Sequence, residues 1–469
     1  MLLALTMTAI WLAGIACAVD VVMNGRTAQG VTAWALALLF IPYVAVPLYM
    51  VLGERRFLGY IRARRKGLRM LDKSLQDCLK AIAPFAVTDQ EPGIRGLVRI
   101  GKLPLTRGNR VKLLIDGDAM FEELFAQIDA AQRYILLEFY IYRDDDTGRE
   151  LQRRLLAARE RGVEVYFMYD EFGCLSLPNE YIDTLSRAGC RCTGFRTQSR
   201  RRRRFLRLNF RNHRKISVVD GRLGLVGGIN IGDEYRGRDE VIGPWRDSHA
   251  VLEGPSVQCL QMVFLEDWYW AQRNVPDRIE WRPEESEQDH KVLIYPSGPA
   301  DELETGALLF GQLIDNARER LWIATPYFVP DEFVLNSLHL AALRGVDVRV
   351  LTPKKGDSFL TTLAGRSYFR EMMDSGVQVW VYSAGFLHQK VVVSDSTAAI
   401  GTANLDNRSM RINFEVTAVI PDAGFAADAV SMLERDFSRA ARVTKEQLAR
   451  DKFPVRFARR LARAVSPIL

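Results

Sequence analysis

One short pattern occurs twice in the chain and limits what the chain can become. His213-Arg214-Lys215 is followed by four residues and Asp220, and His388-Gln389-Lys390 by four residues and Asp395. Each copy runs on to glycine and asparagine: Gly227-Gly228-Ile229-Asn230 after the first, Gly401-Thr402-Ala403-Asn404 after the second. The residues between Lys and Asp are Ile216-Ser217-Val218-Val219 and Val391-Val392-Val393-Ser394, which favour a strand. Alternate side chains of a strand share a face, so His and Lys point the same way. Each Asp then ends its strand at a turn, and a second strand returns towards the Asn. Two hairpins thus offer a His, a Lys and an Asn each, with backbone NH groups near the glycines. One such copy is a loose pattern, but two with matching Gly and Asn are not chance. The second turn is one residue shorter, so matching Gly401-Thr402 to Gly227-Gly228 is the loosest part of the repeat.

The rest of the chain repeats around these motifs. Strand-like runs at 111–115, 134–142 and 163–169 alternate with helical spacing at 119–133 and 150–161. The same order returns with strands at 291–295, 321–329 and 346–352 and helices at 306–320 and 332–343. Even a junction echoes, Arg161-Gly162-Val163-Glu164-Val165 against Arg344-Gly345-Val346-Asp347-Val348. Strands alternating with helices imply βαβ units and a sheet covered on both faces. The expectation is an α/β fold of two repeats related by a pseudo-twofold axis, with one site at their seam. The divisions are 1–54, membrane helices; 55–107, basic segment and linker; 108–275, first repeat; 276–290, linker; and 291–469, second repeat with a basic C-terminal helix.

Residues 1–19 and 27–53 carry no charged side chain. Each is long enough for the roughly 20 helical residues that cross a bilayer, so two transmembrane helices are expected, the second bent by Pro42 and Pro47. Arg55, Arg56, Arg62, Arg64, Arg65, Lys66 and Arg69 follow, and the positive-inside rule puts everything after residue 54 in the cytoplasm. The net charge of +7 suits an anionic partner, a lipid surface or a phosphate-bearing substrate. Arg200 to Arg204 are five consecutive arginines. With membrane spans present, a lipid surface is their favoured partner and nucleic acid the disfavoured one. The run 456–465 is basic and amphipathic, a second candidate surface contact. No clustered Cys/His ligand set occurs, so neither a metal nor another cofactor is called for.

Phosphodiester exchange without a metal needs a nucleophile at phosphorus, an acid for the leaving alkoxide, positive charge around the oxygens, and groups that orient the histidines. Neutral imidazole can attack phosphorus, and a second, protonated histidine can serve the leaving oxygen. Lys215, Lys390, Asn230, Asn404 and the NH of Gly228 would hold phosphoryl oxygens. Asp220 and Asp395 would each accept the other ring NH of a histidine.

The pair resembles the HKD motifs of the phospholipase D superfamily. With Gly228-Ile229-Asn230-Ile231-Gly232-Asp233-Glu234-Tyr235 and Trp245-Arg246-Asp247-Ser248-His249, nearly the whole chain resembles bacterial cardiolipin synthases. The resemblance implies an inner-membrane, multi-pass phosphatidyltransferase whose partners are membrane phospholipids. It implies transfer of phosphatidyl from one phosphatidylglycerol to another, giving cardiolipin and glycerol through a phosphohistidine. A hydrolytic phospholipase D, or a transferase using phosphatidylethanolamine, is the alternative. The resemblance also implies His213 as nucleophile and His388 as acid and base, a site position for Glu415, and a histidine–carboxylate contact that can cross between halves. Tyr142 and Tyr327 end equivalent strands and are candidates to border the crevice, with a core position equally open. His249 is expected to be structural.

Overall fold

The computed structural model describes residues 2–25, 28–53, 73–195, 210–276, 278–464 and 466. The basic segment after residue 54 and the Arg200–Arg204 run lie outside the described residues.

Strands of the first repeat are β1 (Thr106–Ile115), β2 (Tyr134–Phe139), β3 (Glu164–Asp170), β4 (Arg191–Phe195), β5 (Arg211–Asn212), β6 (Lys215–Val219), β7 (Leu223–Gly227), β8 (Trp245–Arg246) and β9 (Ser248–Glu253). The second repeat supplies β10 (His290–Ser297), β11 (Arg320–Ala324), β12 (Phe328–Val329), β13 (Asp347–Pro353), β14 (Gln378–Tyr382), β15 (Phe386–Leu387), β16 (Val391–Ser394), β17 (Thr397–Gly401), β18 (Leu405–Asp406), β19 (Asn413–Pro421) and β20 (Ala440–Arg442). Fifteen of them follow one another in a single sheet in the order β20-β14-β13-β11-β16-β17-β19-β10-β1-β9-β7-β6-β2-β3-β4, with β5 joined to β19, while β12 with β18 and β15 with β8 form two small separate pairs. Read outward from the antiparallel β10–β1 seam, seven strands of each half repeat in the same order, and β20 is added at the outer edge of the second. The sheet is mixed. The βαβ units give parallel β2-β3-β4 and β11-β13-β14, while the motif hairpins β6–β7 and β16–β17 are antiparallel.

The residues explain this layout. β2, Tyr-Ile-Leu-Leu-Glu-Phe, is buried throughout, as a central strand covered on both faces requires. Gly162 and Gly345 follow the first crossover helix of each repeat at φ 86° and 91°, a left-handed stop that glycine adopts without strain. Asp145 and Asp331 cap the starts of those helices by accepting the NH of Gly148 and Val334, which satisfies a donor the helix leaves open. On one face, a core common to both halves packs 256–272 and 423–438 against the sheet. Two separate cores cover the other face.

The N-terminal expectation of two transmembrane helices is met for the first. α1 (Leu2–Asn24) is the single described helix long and apolar enough to cross a membrane, over Leu5–Asn24. The second apolar stretch is broken into α2 (Ala28–Phe40) and α3 (Pro42–Leu52). Ile41 stands at φ −135°, ψ 54° between them, because the residue before proline is driven out of the helical region. The chain doubles back there. Trp34 meets Tyr49 across the hairpin at 5.2 Å, and Tyr43 and Tyr49 bond to Trp11 and Asp20 along α1.

Candidate active site

Each motif histidine is fixed by a strand of the opposite half. β5 pairs with the start of β19, and β8 pairs with β15. In consequence the NH of His213 donates to the carbonyl of Phe414 at 3.0 Å, and the NH of His388 to that of Arg246 at 2.8 Å. The residue after each of those carbonyls is acidic. His213 Nδ1 lies 2.9 and 3.0 Å from the two carboxylate oxygens of Glu415. His388 Nδ1 lies 2.7 Å from Asp247 Oδ2. The repeats have therefore exchanged carboxylates: each histidine depends on the other half. With Nδ1 engaged, Nε2 is the nitrogen left for chemistry.

The carboxylates are themselves held. Glu415 accepts from Thr402 Oγ1 at 2.6 Å, Ser409 Oγ at 2.8 Å and Asn413 Nδ2 at 3.2 Å. Asp247 accepts from the NH of Ser248 at 2.8 Å and Trp245 Nε1 at 3.3 Å. Tyr140 packs edge-on to His213 at 5.1 Å and Trp245 against His388 at 5.0 Å. The lysines reach back beside their histidines: Lys215 Nζ donates to the His213 carbonyl at 2.7 Å, and Lys390 Nζ lies 2.9 Å from His388 Nδ1.

The electrostatics belong to one cluster. Burial pulls Lys215 down to about 7 and Lys390 down to about 8, and each feels the charge of carboxylates from both motifs. Burial also pulls His388 down to about 4, with Lys390 adding to the shift and Asp247 opposing it. His213 is lowered by burial against the pull of Glu415, and Lys390 of the other motif contributes to its shift. Burial works against both carboxylates, yet Lys390 and His388 hold Asp247, and His213 and Lys215 hold Glu415, below the usual range. The resting site thus holds two neutral imidazoles, two anionic carboxylates and two lysines that burial brings close to losing their protons.

Several expectations change. Asp220 and Asp395 do not meet a histidine. They sit at the far ends of β6 and β16 in left-handed conformation, φ 53° and 50°, which Asp tolerates better than most residues. Asp220 accepts the NH groups of Gln132, Arg133 and Tyr134. Asp395 accepts those of Arg318, Glu319 and Arg320. Each closes the turn before the next strand. Gly228 does not offer its NH to a ligand, because that NH donates to the Ser248 carbonyl at 3.0 Å. A Cβ there would lie 2.0 Å from Asp247 Oδ1, so the glycine makes room for the partner of His388.

Sheet register also settles the loose match: Gly227 faces His249 and Gly401 faces Thr417, so Gly228 corresponds to Thr402. Asn230 accepts from the NH of Ile141 and donates to Tyr235 OH, while Asn404 is buried beside Asp406. His249 is buried under the site, accepting the Ile229 NH at 3.3 Å, and burial holds it at about 3. Tyr142 and Tyr327 are not equivalent. Tyr142 pairs with Ile231 as Phe328 pairs with Leu405, so Tyr327 is one residue out of register and faces the other way. Tyr142 is in the core, whereas Tyr327 donates to Asp357 at 2.6 Å.

Asp247 is the residue that sequence reasoning missed. A signal existed: Asp247-Ser248-His249-Ala250-Val251 and Glu415-Val416-Thr417-Ala418-Val419 share an acid followed, after two residues, by Ala-Val.

Comparison with known proteins gives the family. The family model described as "Cardiolipin synthase, PLD-like domain" matches residues 124–264 and 310–440, and one described as "Phospholipase_D-nuclease N-terminal" matches residues 12–54. Cardiolipin synthase A of Pseudomonas aeruginosa (strain LESB58) is 44% identical over 474 residues, covering 100% of this chain and 96% of that protein. Cardiolipin synthase A of Pseudomonas fluorescens is 44% identical over 467 residues, covering 97% and 96%. Phosphatidylserine synthase of Haemophilus influenzae Rd KW20 shares the fold, with a TM-score of 0.62 at 16% identity, over 81% of this chain and 100% of that one. A pair of phospholipase D-like repeats closed around one histidine cluster defines the class of enzyme. Within it, the chain belongs to the cardiolipin synthase family.

Proposed function

We propose that this chain transfers a phosphatidyl group from one phosphatidylglycerol to a second, yielding cardiolipin and glycerol, through a phosphohistidine on His213. The observation that carries the reading is the exchange of carboxylates across the seam, which makes the two histidines parts of one site.

His213 Nε2 attacks the phosphorus of the first lipid. The bond from phosphorus to the glycerol headgroup oxygen breaks, and His388 Nε2 gives that oxygen its proton. Glycerol leaves. A headgroup hydroxyl of the second phosphatidylglycerol then gives its proton to His388 and attacks phosphorus, and the P–N bond breaks. Attack makes the His213 ring cationic, a charge that Glu415 stabilises at Nδ1. Lys215 and Lys390, with the amides of Asn230 and Asn404, hold the non-bridging oxygens. His388 is neutral in the resting site and must be charged for the first step. A bound phosphodiester anion favours that charge.

Purified protein incubated with labelled phosphatidylglycerol is expected to give cardiolipin and glycerol in equal amounts. Phosphatidic acid as sole product would identify a hydrolase. Conversion only after phosphatidylethanolamine is added would identify a different donor.

The apolar first helix and the arginines that follow residue 54 support a catalytic unit held at the bacterial inner membrane, on its cytoplasmic side. A multi-pass arrangement needs the α2–α3 hairpin to open at Pro42, and it leaves the N-terminus in the cytoplasm. A single crossing by α1, with α2–α3 re-entrant, leaves it outside. The hairpin favours the second arrangement, and a reporter fused to the N-terminus separates the two.

A further inference from the structure

The helix that follows the loop after β13 (Phe359–Asp374) lies against the C-terminal helix (Phe453–Ala464). Arg463 pairs with Glu371 at 2.8 and 3.0 Å and covers the Tyr368 ring. Arg459 pairs with Asp451, and its charge reaches Arg366. These contacts advance in the same direction on both helices, so the helices are parallel and their first turns share one end. That end is apolar and open. Phe359 is 79% exposed and Phe453 69%, and the stripe continues through Phe457 and Leu461 at 57% and 58%. The rings of Phe453 and Phe457 stack at 6.2 Å. Packing does not require this stripe, because the opposite face of the C-terminal helix, through Ala462 and the two arginines, already holds it down.

Exposed Arg456 and Arg460 flank the stripe along one side, and exposed Lys452, Lys354 and Lys355 precede the two helices. The acids nearby are committed: Asp451 and Glu371 to those arginines, Asp357 to the Tyr327 hydroxyl. The face also adjoins the site, since Asp357, two residues before Phe359, acts on the charges of both His388 and Lys390.

We propose that this two-helix face docks on an anionic phospholipid bilayer and sets the mouth of the site against it. The inference rests on the reading of bilayer phospholipids as substrates. Large apolar side chains flanked by lysine and arginine are the composition of an interfacial helix, and basic residues are drawn to an anionic surface. A second copy of the chain is the poorer occupant, because a twofold contact would bring both basic borders together.

The test uses the full chain in nanodiscs. Phe457→Trp is expected to add fluorescence that acyl-brominated lipids quench, more strongly with phosphatidylglycerol than with phosphatidylcholine. Absence of that quenching overturns the proposal whether or not the chain turns over lipid. Phe453→Glu, Phe457→Glu and Leu461→Glu together are expected to slow conversion of bilayer phosphatidylglycerol about tenfold or more. Monomeric short-chain phosphatidylglycerol should be converted as before, with an unchanged unfolding midpoint. Equal loss on both substrates overturns the docking role. So does a dimer in detergent that the triple variant splits while brominated lipids quench nothing.

Discussion

The two halves of the site share a plan and differ in its electrostatics. Glu415 meets His213 Nδ1 with both oxygens and is itself held by three side chains. Asp247 meets His388 with one oxygen, and Lys390 crowds the same ring nitrogen at 2.9 Å. A ring that must carry positive charge as a phosphohistidine gains most from the first surrounding. A ring that must surrender a proton gains from the second, where a neighbouring cation disfavours the charged form. The contrast thus supplies a physical reason for His213 as nucleophile and His388 as acid, a choice that symmetry alone leaves open.

The strongest test removes the rings. His213→Asn and His388→Asn are each expected to lower turnover by about 10⁴-fold or more, because the covalent route needs both. They differ in what accumulates. Rapid quenching in alkaline detergent, which preserves a P–N bond, should trap labelled lipid on the His388→Asn protein and none on His213→Asn. Labelled lipid on the His213→Asn protein would reverse the assignment. The carboxylates come next. Glu415→Gln and Asp247→Asn should each cost on the order of 10²- to 10³-fold, the scale of losing the group that fixes a catalytic imidazole. Glu415→Gln should mainly slow formation of the covalent species, and pre-steady-state labelling measures that step. An Asp247→Asn protein with near-normal turnover would break the proposed exchange.

A smaller effect concerns pH. Lys215 and Lys390 titrate at about 7 and about 8 in the resting site. Their charged forms exist below those values, so activity should decline as pH rises through 7 to 8. Lys215→Arg keeps its charge throughout, so its residual activity should fall only later, as Lys390 titrates towards about 8. A parallel decline in both proteins would show that the lysines do not set that limb.

The repeat was legible because strand, helix and motif recur in both halves, and the convergence of His213 and His388 follows from that duplication. The carboxylates were harder to find for a physical reason. Asp220 and Asp395 are near their histidines in sequence, but a strand of five residues in the first repeat and of four in the second carries each to the far end of that strand. Glu415 and Asp247 are remote in sequence, and short parallel pairings across the seam bring them in. Local spacing reports local contacts, and this site is built from crossed ones. The tyrosine comparison failed for a similar reason, since a shift of one residue in a strand exchanges its two faces.

The smallest predicted effect on catalysis is therefore at the residue the motif displays most openly. Asp220 receives three backbone NH groups at 2.8 to 2.9 Å and has no contact with His213. Asp220→Asn keeps one acceptor oxygen and tolerates the left-handed turn, but it loses the charge-assisted part of those bonds. It is expected to cost about 1–3 kcal/mol of stability, measured by denaturant unfolding, while turnover per folded molecule stays within about twofold. Asp247→Asn should do the reverse, with a large loss of turnover. If Asp220→Asn proved as inactive as Asp247→Asn while unfolding normally, the motif aspartate would reach the chemistry after all, and the exchange of carboxylates would no longer account for how the histidines are held.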